Sequence, residues 1–321
     1  MTVKTAVSEI TIERFREEFG DALQTNVPLA RYTSARVGGP ADMVLVVHNA
    51  GDLLTAVQLA YTKRIPYFII GGGSNILISD SGIRGLVIVN RARQVSFRHT
   101  GLGVVCTAES GMNLSSLTRQ CIGKGLGGLE WAVGIPGTVG GAVVGNAGAH
   151  GGDIQAILQA ATVWEPGRGV TVYSNEKMAY AYRTSELKRD QEKIRTRRVV
   201  LAAEFKLKPA PVEILTARAD GFNAKRKQSQ PGGASMGSMF KNPENYYAGY
   251  LIETAGLKGF QIGNARISEK HANFFVSDGD AKAEDIRDLI AEAWNSVREQ
   301  FGVEMDLEVE LIGNWEFDER S

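Results

Sequence analysis

Cysteine is nearly missing: Cys106 and Cys121 are the two in 321 residues. Their spacing matches no metal-ligand or redox motif, so both are expected reduced, as half-buried apolar filler. Histidine is as scarce, and His48, His99, His150 and His271 have no metal-ligand spacing; no metal is expected. Neither charge dominates, with 36 Lys plus Arg against 36 Asp plus Glu. That excludes nucleic-acid binding driven by bulk charge but leaves room for a local basic site. No apolar run approaches the ~20 residues that cross a bilayer. The opening MTVKTAVSEITIERF has no apolar core long enough for a signal peptide. The chain is therefore expected to be soluble, cytoplasmic and reduced, with no nucleic-acid partner and no membrane insertion. Proline is modest at 9, which excludes a proline-rich low-complexity chain. The length suits roughly two domains of about 150 residues.

Glycine is what the chain has in excess: 37, and clustered. Between the clusters the pattern alternates strands and helices. IERFREEF (12–19) predicts a short charged helix stopped by Gly20. MVLVVHN (43–49) and YFII (67–70) read as buried strands around a helix carrying Leu53, Val57, Ala60 and Tyr61 and ended by Pro66, which implies a small parallel pair. GLVIVN (85–90) and GVVCTAE (103–109) continue the strands, and Asn113 caps a helix with Leu114, Leu117 and Cys121 that ends at Gly123 or Gly125. AATVWEP and GVTVYS (160–174) predict a hairpin turning at Gly167 and Gly169, followed by a period-two strand over 198–208. Pro209 to Pro211 marks the expected domain boundary. Beyond it come a helix with Val212, Leu215, Ala219 and Phe222, an irregular loop over 228–245, a long amphipathic helix over 283–301 closed by Gly302, and an alternating final strand, MDLEVELI (305–312). The class is α+β.

GGGSN (71–75) directly follows a predicted strand. Consecutive glycines let backbone N–H groups converge on an anion, and Ser74 and Asn75 add donors; a tight structural turn is the alternative. The loop is neither GxGxxG opening a helix nor an NTPase loop with GK[ST]. The second cluster, GIPGTVGGAVVGNAGAHGGD (134–153), is almost all Gly, Ala and Val. Such a segment either lets a broad flat ligand lie on backbone or supplies bends in a crowded sheet. Two such clusters without lysine favour a dinucleotide over ATP.

The ordered set YTSARVGGPAD (32–42), GGGSNIL (71–77), GIPGTVGGAVVGNAGAHGG (134–152), YRTSELK (182–188), KRKQSQP (225–231), GSMFKNP (237–243), SEKHANF (268–274) and LEVELIG (307–313) resembles the UDP-N-acetylenolpyruvoylglucosamine reductase family, over about Val27 to Gly313. No tyrosine-bearing insertion is seen, as in the shorter subtype. The resemblance implies a two-part FAD-binding domain of the FAD-linked oxidase type (21–208) and a smaller α+β substrate-binding domain (209–321). It implies noncovalent FAD, NADPH as reductant, and reduction of an enolpyruvyl nucleotide sugar to UDP-N-acetylmuramate for peptidoglycan. Small molecules are the expected partners and a monomer the expected state.

Residue by residue, the resemblance makes Arg183 the holder of the substrate carboxylate and enolate charge, Glu308 the orienting carboxylate, and Ser238 the proton donor. It places FAD on Gly71, Gly72, Gly73, Ser74, Asn75 and Ile76, and on Gly134, Ile135, Pro136, Gly137, Thr138, Gly140, Gly141, Asn146, Ala147 and Gly148. Arg226 and Lys241 suit the diphosphate, with Tyr182, Gln230 and Asn242 as neutral donors. Three positions depart from the pattern. Glu310 stands where a basic residue is common, Gly145 where a larger one is usual, and Ser277 where asparagine is. Gly233-Ala234-Ser235-Met236-Gly237 fits GxSxG, but a Gln-Pro-Gly-Gly loop precedes it, not the strand-to-helix turn that motif requires. His150, inside the second cluster, is expected to pack near the cofactor.

Overall fold

The computed structural model describes residues 7–189 and 197–315. In chain order, helix α1 (Glu9–Phe19) leads to strands β1 (Leu23–Pro28) and β2 (Pro40–Val47), helix α2 (Ala50–Thr62), and strands β3 (Tyr67–Ile70), β4 (Ile76–Ile78), β5 (Ile83–Asn90), β6 (Val95–Thr100) and β7 (Gly103–Glu109). Helix α3 (Leu114–Gly123), strand β8 (Leu126–Gly127), helix α4 (Val139–Gly145), strands β9 (Gly148–Ala149) and β10 (Gly152–Asp153), helix α5 (Ile154–Ile157), strands β11 (Leu158–Glu165) and β12 (Gly169–Ser174), helix α6 (Glu186–Arg189) and strand β13 (Val199–Pro209) follow. The remainder is helix α7 (Val212–Ser229), helix α8 (Ala248–Thr254), strands β14 (Gln261–Ile262), β15 (Ala265–Ile267) and β16 (Phe275–Ser277), helix α9 (Ala283–Phe301) and strand β17 (Glu310–Ile312).

Local chemistry explains the helix ends. Ser8, Asn49 and Asn113 each accept a backbone N–H from the first turn of α1, α2 and α3. Gly20 and Gly302 take positive φ, 55° and 67°, just past α1 and α9. Helix α9 is held at its start by Asp80, whose two carboxylate oxygens accept the N–H groups of Ala283 and Glu284 at 3.0 Å each.

The chain forms two compact units, and neither is one continuous segment. The first gathers residues up to Gln24, 43–72 and 85–226; the second gathers 25–42, 73–84 and residues from 227 onward. In the first unit a sheet of order β12-β11-β13-β7-β6 packs against α3 and α4 through Leu117, Cys121, Trp131, Val139, Val143 and Phe205. A smaller core there holds Phe15, Met43, Leu45, Leu53, Tyr67 and Ile88. The second unit packs α8 and α9 on the sheet β14-β15-β16, with Phe240, Leu251, Phe275, Ile286 and Leu289 buried, and pairs β17 with β4 in parallel.

Four local expectations need correction. The strands MVLVVHN and YFII are not neighbours: the sheet order is β1-β2-β5-β3, and the parallel partner of β3 is β5, with Tyr67 opposite Leu86. Strand β5 is longer and buried along most of its length, so it takes the central place. The final strand is shorter than its alternation suggests. Only Glu310–Ile312 is ladder, because residues 306–309 spend their backbone bonds on Met239 and Lys241. Cys106 and Cys121 are fully buried in the first unit's core rather than half-buried. The second glycine cluster is more than a bed for a ligand or a set of bends in a sheet: its middle is helix α4, which buries Val139, Ala142 and Val143.

Candidate active site

The glycine clusters meet in the first unit. A Cβ on Gly72 would lie 2.7 Å from the Cα of Gly137, and one on Gly71 would strike the Thr138 hydroxyl. Only glycine permits two backbones to approach so closely. Arg91 fixes the loop from behind by donating to the Gly71 carbonyl at 2.8 Å. Across the cluster, Asn113 reaches the Gly137 carbonyl at 3.4 Å, Gly134 donates to Ser115 Oγ at 2.9 Å, and Gly140 donates to the Ser110 carbonyl at 2.8 Å. The Gly140 amide is thus used internally, and that glycine serves close packing, with a Cβ falling 2.9 Å from Ser110 Cβ. Gly148 likewise fits a tight hairpin, where a Cβ would lie 2.8 Å from the Gly152 carbonyl.

Gly141 and Gly145 differ. A Cβ on Gly145 would touch nothing within 4 Å, and one on Gly141 only Thr138 Oγ1 at 3.9 Å. Four residues apart on α4, they share a face and leave a strip of bare backbone. Closed backbone contact on one side and an open strip on the other fit a flat dinucleotide such as FAD. Asn146 ends α4 at φ 46°, and Ala147 follows it with its N–H on the Ala142 carbonyl at 2.9 Å.

That same helix carries the YRTS turn. Asn146 Nδ2 donates to the Ala181 carbonyl at 3.1 Å, Tyr180 Oη to Val143 at 2.9 Å, and Ser185 Oγ to Val144 at 2.6 Å. Ala181 and Thr184 close the turn with two backbone bonds of 3.2 Å. Arg183 sits at its tip with φ 56°, a left-handed backbone that costs a non-glycine residue about 1–2 kcal/mol. Its guanidinium carbon lies 5.4 Å over the Tyr182 ring, which is itself exposed. Arg226 also belongs to this unit, with Nε 3.6 Å from the place a Gly134 Cβ would take.

In the second unit, Gly73 takes φ 61°, and a Cβ there would collide with the Tyr32 carbonyl. Beyond Ser74, Asn75 Nδ2 donates to the Glu308 carbonyl at 3.0 Å, Glu310 N–H returns a bond to the Asn75 carbonyl at 3.0 Å, and Ile76 pairs with Glu310. The segments of Ser238 and Glu308 are joined through Met239, the residue after Ser238: Glu308 N–H donates to the Met239 carbonyl at 2.8 Å. Lys241 is tied to Asp306 by backbone, 2.8 Å, and by its ammonium, 3.5 Å. Asn242 Oδ1 accepts Ala248 N–H at 3.1 Å at the start of α8, and Gln230 follows the end of α7.

One buried position beside Ser238 escaped the sequence reading. Asn273 is buried, and its amide accepts Phe240 N–H at 2.9 Å and donates to the Phe240 carbonyl at 2.8 Å, while its own carbonyl takes Met239 N–H at 2.9 Å. It acts as a strand partner for the Ser238–Lys241 segment. The only sign of it in the sequence is an asparagine in HANF, which has no pattern of its own. The departures from the pattern are accommodated. Ser277 Oγ donates to the Ala35 carbonyl, Gly145 faces open space, and Glu310 opens β17. Ser235 lies beside a bridge between Ala234 and Ser277, not on a strand-to-helix turn. Among the described residues no group of three or more His, Cys, Asp or Glu is placed to hold a metal ion, and no helix is long and apolar enough to cross a membrane.

The first unit's glycine segments fall within residues 41–173, which match the model of an FAD binding domain. Residues 228–312, with Ser238 and Glu308, match the C-terminal domain of UDP-N-acetylenolpyruvoylglucosamine reductase. The enzyme of that name from Chloroflexus aggregans is 40% identical over 92% of this chain and 100% of its own length. Its counterpart from Caldanaerobacter subterraneus is 37% identical over 96% of this chain and 99% of its own. The chain belongs to the UDP-N-acetylenolpyruvoylglucosamine reductase family. The crystal structure of the Thermus caldophilus reductase superposes with a TM-score of 0.74 at 34% identity, covering 89% of this chain and 97% of that one. The α+β architecture expected from the resemblance, an FAD-binding domain followed by a C-terminal domain, is the one found.

Proposed function

We propose that the chain reduces the enolpyruvyl group of UDP-N-acetylglucosamine enolpyruvate to give UDP-N-acetylmuramate, using noncovalently bound FAD and NADPH. Division by ligand would put FAD on residues 21–208 and substrate on 209–321. Segments 25–42 and 73–84 nevertheless lie with the later residues in the compact second unit. The cofactor would rest on the Gly71–Ile76 loop and on the Gly134–Gly148 segment. The work would be done by a cytoplasmic monomer.

When bound, FAD supplies to the terminal alkene carbon a hydride taken from NADPH. The chain must meet the charge that appears next to the substrate carboxylate. Arg183 presents a planar fork suited to a carboxylate and to enolate oxygen, and the turn keeps it there at a backbone cost. Ser238 donates the proton to the carbon bearing the carboxylate, so that hydride and proton together saturate the double bond. A serine hydroxyl is a weak acid, and it serves because the enolate it meets is strongly basic. Glu308 orients the donor. Lys241, with Arg226, balances the diphosphate, and Tyr182, Gln230 and Asn242 add neutral hydrogen bonds.

The observation that carries this reading is the junction at Met239, whose carbonyl accepts the Glu308 N–H and so ties the segment of Ser238 to that of Glu308 within one unit. Stopped-flow measurement of the two half-reactions tests it. Ser238→Ala should leave flavin reduction by NADPH intact and slow reoxidation by the enolpyruvyl substrate about 10²- to 10⁴-fold, the usual worth of a general acid. Equal slowing of both halves removes Ser238 from the role.

A further inference from the structure

Side chains tie helix α4 to the turn that carries Arg183. The last carbonyls of a helix find no partner within it, and in α4 the 180–185 segment supplies donors. Tyr180 Oη donates to the Val143 carbonyl at 2.9 Å, and Ser185 Oγ to the Val144 carbonyl at 2.6 Å. Ser185 is fully buried. Burial, and then the Asp153 charge, push the Tyr180 pKa well above the ordinary phenol value, so the hydroxyl keeps the proton it donates. A further tie runs the other way. Asn146, buried at the end of α4, donates from Nδ2 to the Ala181 carbonyl at 3.1 Å and accepts the Gln155 N–H on Oδ1 at 3.0 Å. All of these residues lie in the first unit.

Arg183 stands between the ties, at φ 56°. A left-handed backbone at a residue with a side chain persists only where its surroundings over-determine it. The backbone bonds between Ala181 and Thr184 close the turn, but a closed turn is still free to swing as a body. The bonds at Tyr180, Ala181 and Ser185 register it against α4. The same helix presents the open backbone strip at Gly141 and Gly145. A ligand on that strip and the Arg183 guanidinium are therefore both placed by one short helix. We propose that Tyr180 and Ser185, with Asn146, are positioning residues for Arg183: they lock its turn to the carboxyl end of α4 and so set where its guanidinium meets a substrate carboxylate. This rests on the reading above, in which Arg183 holds that carboxylate and the enolate charge.

The test uses FAD-loaded protein and two readouts. The first is binding without turnover. UDP-N-acetylmuramate carries the carboxylate and UDP-N-acetylglucosamine lacks it, so the ratio of their affinities by calorimetry reports the Arg183 contact. Tyr180→Phe removes one oxygen and keeps the ring. It should reduce that ratio about 5-fold or more, the net worth of a hydrogen bond, and Ser185→Ala should do the same. UDP-N-acetylglucosamine should bind both variants as it binds the wild type. The second readout is a double-mutant cycle in stopped flow. Tyr180→Phe should slow flavin reoxidation by the enolpyruvyl substrate about 10- to 100-fold, the effect of a displacement of about 1 Å, and leave flavin reduction by NADPH unchanged. In an Arg183→Gly background it should slow reoxidation no further, because no guanidinium remains to be placed. A merely structural role would weaken both nucleotides alike and would add its full factor to that of Arg183→Gly. Either of those results, or a wild-type ratio and rate in both Tyr180→Phe and Ser185→Ala, overturns the proposal. If Arg183→Gly itself keeps the wild-type ratio and rate, the reading of Arg183 falls and the proposal falls with it. Failure of the Ser238 assignment leaves the binding ratio readable.

Discussion

Arg183 pays in backbone strain for where its side chain stands. With φ 56° at the tip of a two-residue turn, Arg183→Gly should raise stability by about 1 kcal/mol while cutting the rate of substrate reduction at least about 10²-fold, the loss typical of one charge-stabilising group. Urea denaturation and single-turnover kinetics read the two effects separately. The glycines divide just as sharply. Gly72→Ala puts a methyl 2.7 Å from Gly137 Cα and should unfold the cluster or abolish FAD uptake. Gly145→Ala meets nothing within 4 Å and should be neutral or stabilising by up to about 1 kcal/mol. Composition marks both simply as glycine, and the difference lies in what stands opposite. His271 supplies a pH signature. Its pKa is lowered, mainly by burial, and its Nδ1 accepts the Asn273 N–H at 3.3 Å. The unfolded chain therefore binds a proton more readily than the folded one. Stability should fall as pH drops below about 6.5, the ordinary histidine value. A pH series of thermal melts should show that fall reduced in His271→Gln.

At the scale of elements, the periodic pieces were legible. Helix α9, the β11–β12 hairpin and the Asn113 cap follow from side-chain spacing and capping chemistry, which act within a few residues. Pairing was not legible. Strand β5 lies between β2 and β3 because buried area decides the centre of a sheet, and that is settled by all the strands together. The clamp at Asn273 was hidden for a related reason. Its partners on Phe240 are 33 residues away, and an asparagine has no periodicity. Asn273→Ala should leave the Phe240 N–H and carbonyl buried without that partner, at a cost of about 3 kcal/mol. It should also slow the substrate half-reaction, leaving flavin reduction by NADPH near its normal rate in the fraction that folds.

At the scale of the whole molecule, the second unit is assembled from three stretches of chain. Its core includes Ala35, Val37 and Leu77, and β17 has β4 as its parallel partner. A fragment beginning at Pro209 lacks Ala35, Val37, Leu77 and β4, and leaves β17 without its partner. It should show no cooperative thermal transition by circular dichroism, whereas the full chain should melt cooperatively. A two-state melt of the fragment would mean that the early segments are dispensable.

The sequence by itself determined the class, the helices with clear stripes, and the family, because ordered short motifs survive as local strings whatever their distance in space. It also named Arg183, Ser238 and Glu308. Only the tertiary structure decided that a side chain at Gly72 would strike the backbone of Gly137, that Glu308 bonds to the residue after Ser238, and that segments 25–42 and 73–84 lie with the C-terminal residues. Those facts are close approaches between residues far apart in the chain. Sterics and buried hydrogen bonds set them, and neither leaves a periodic trace along a sequence.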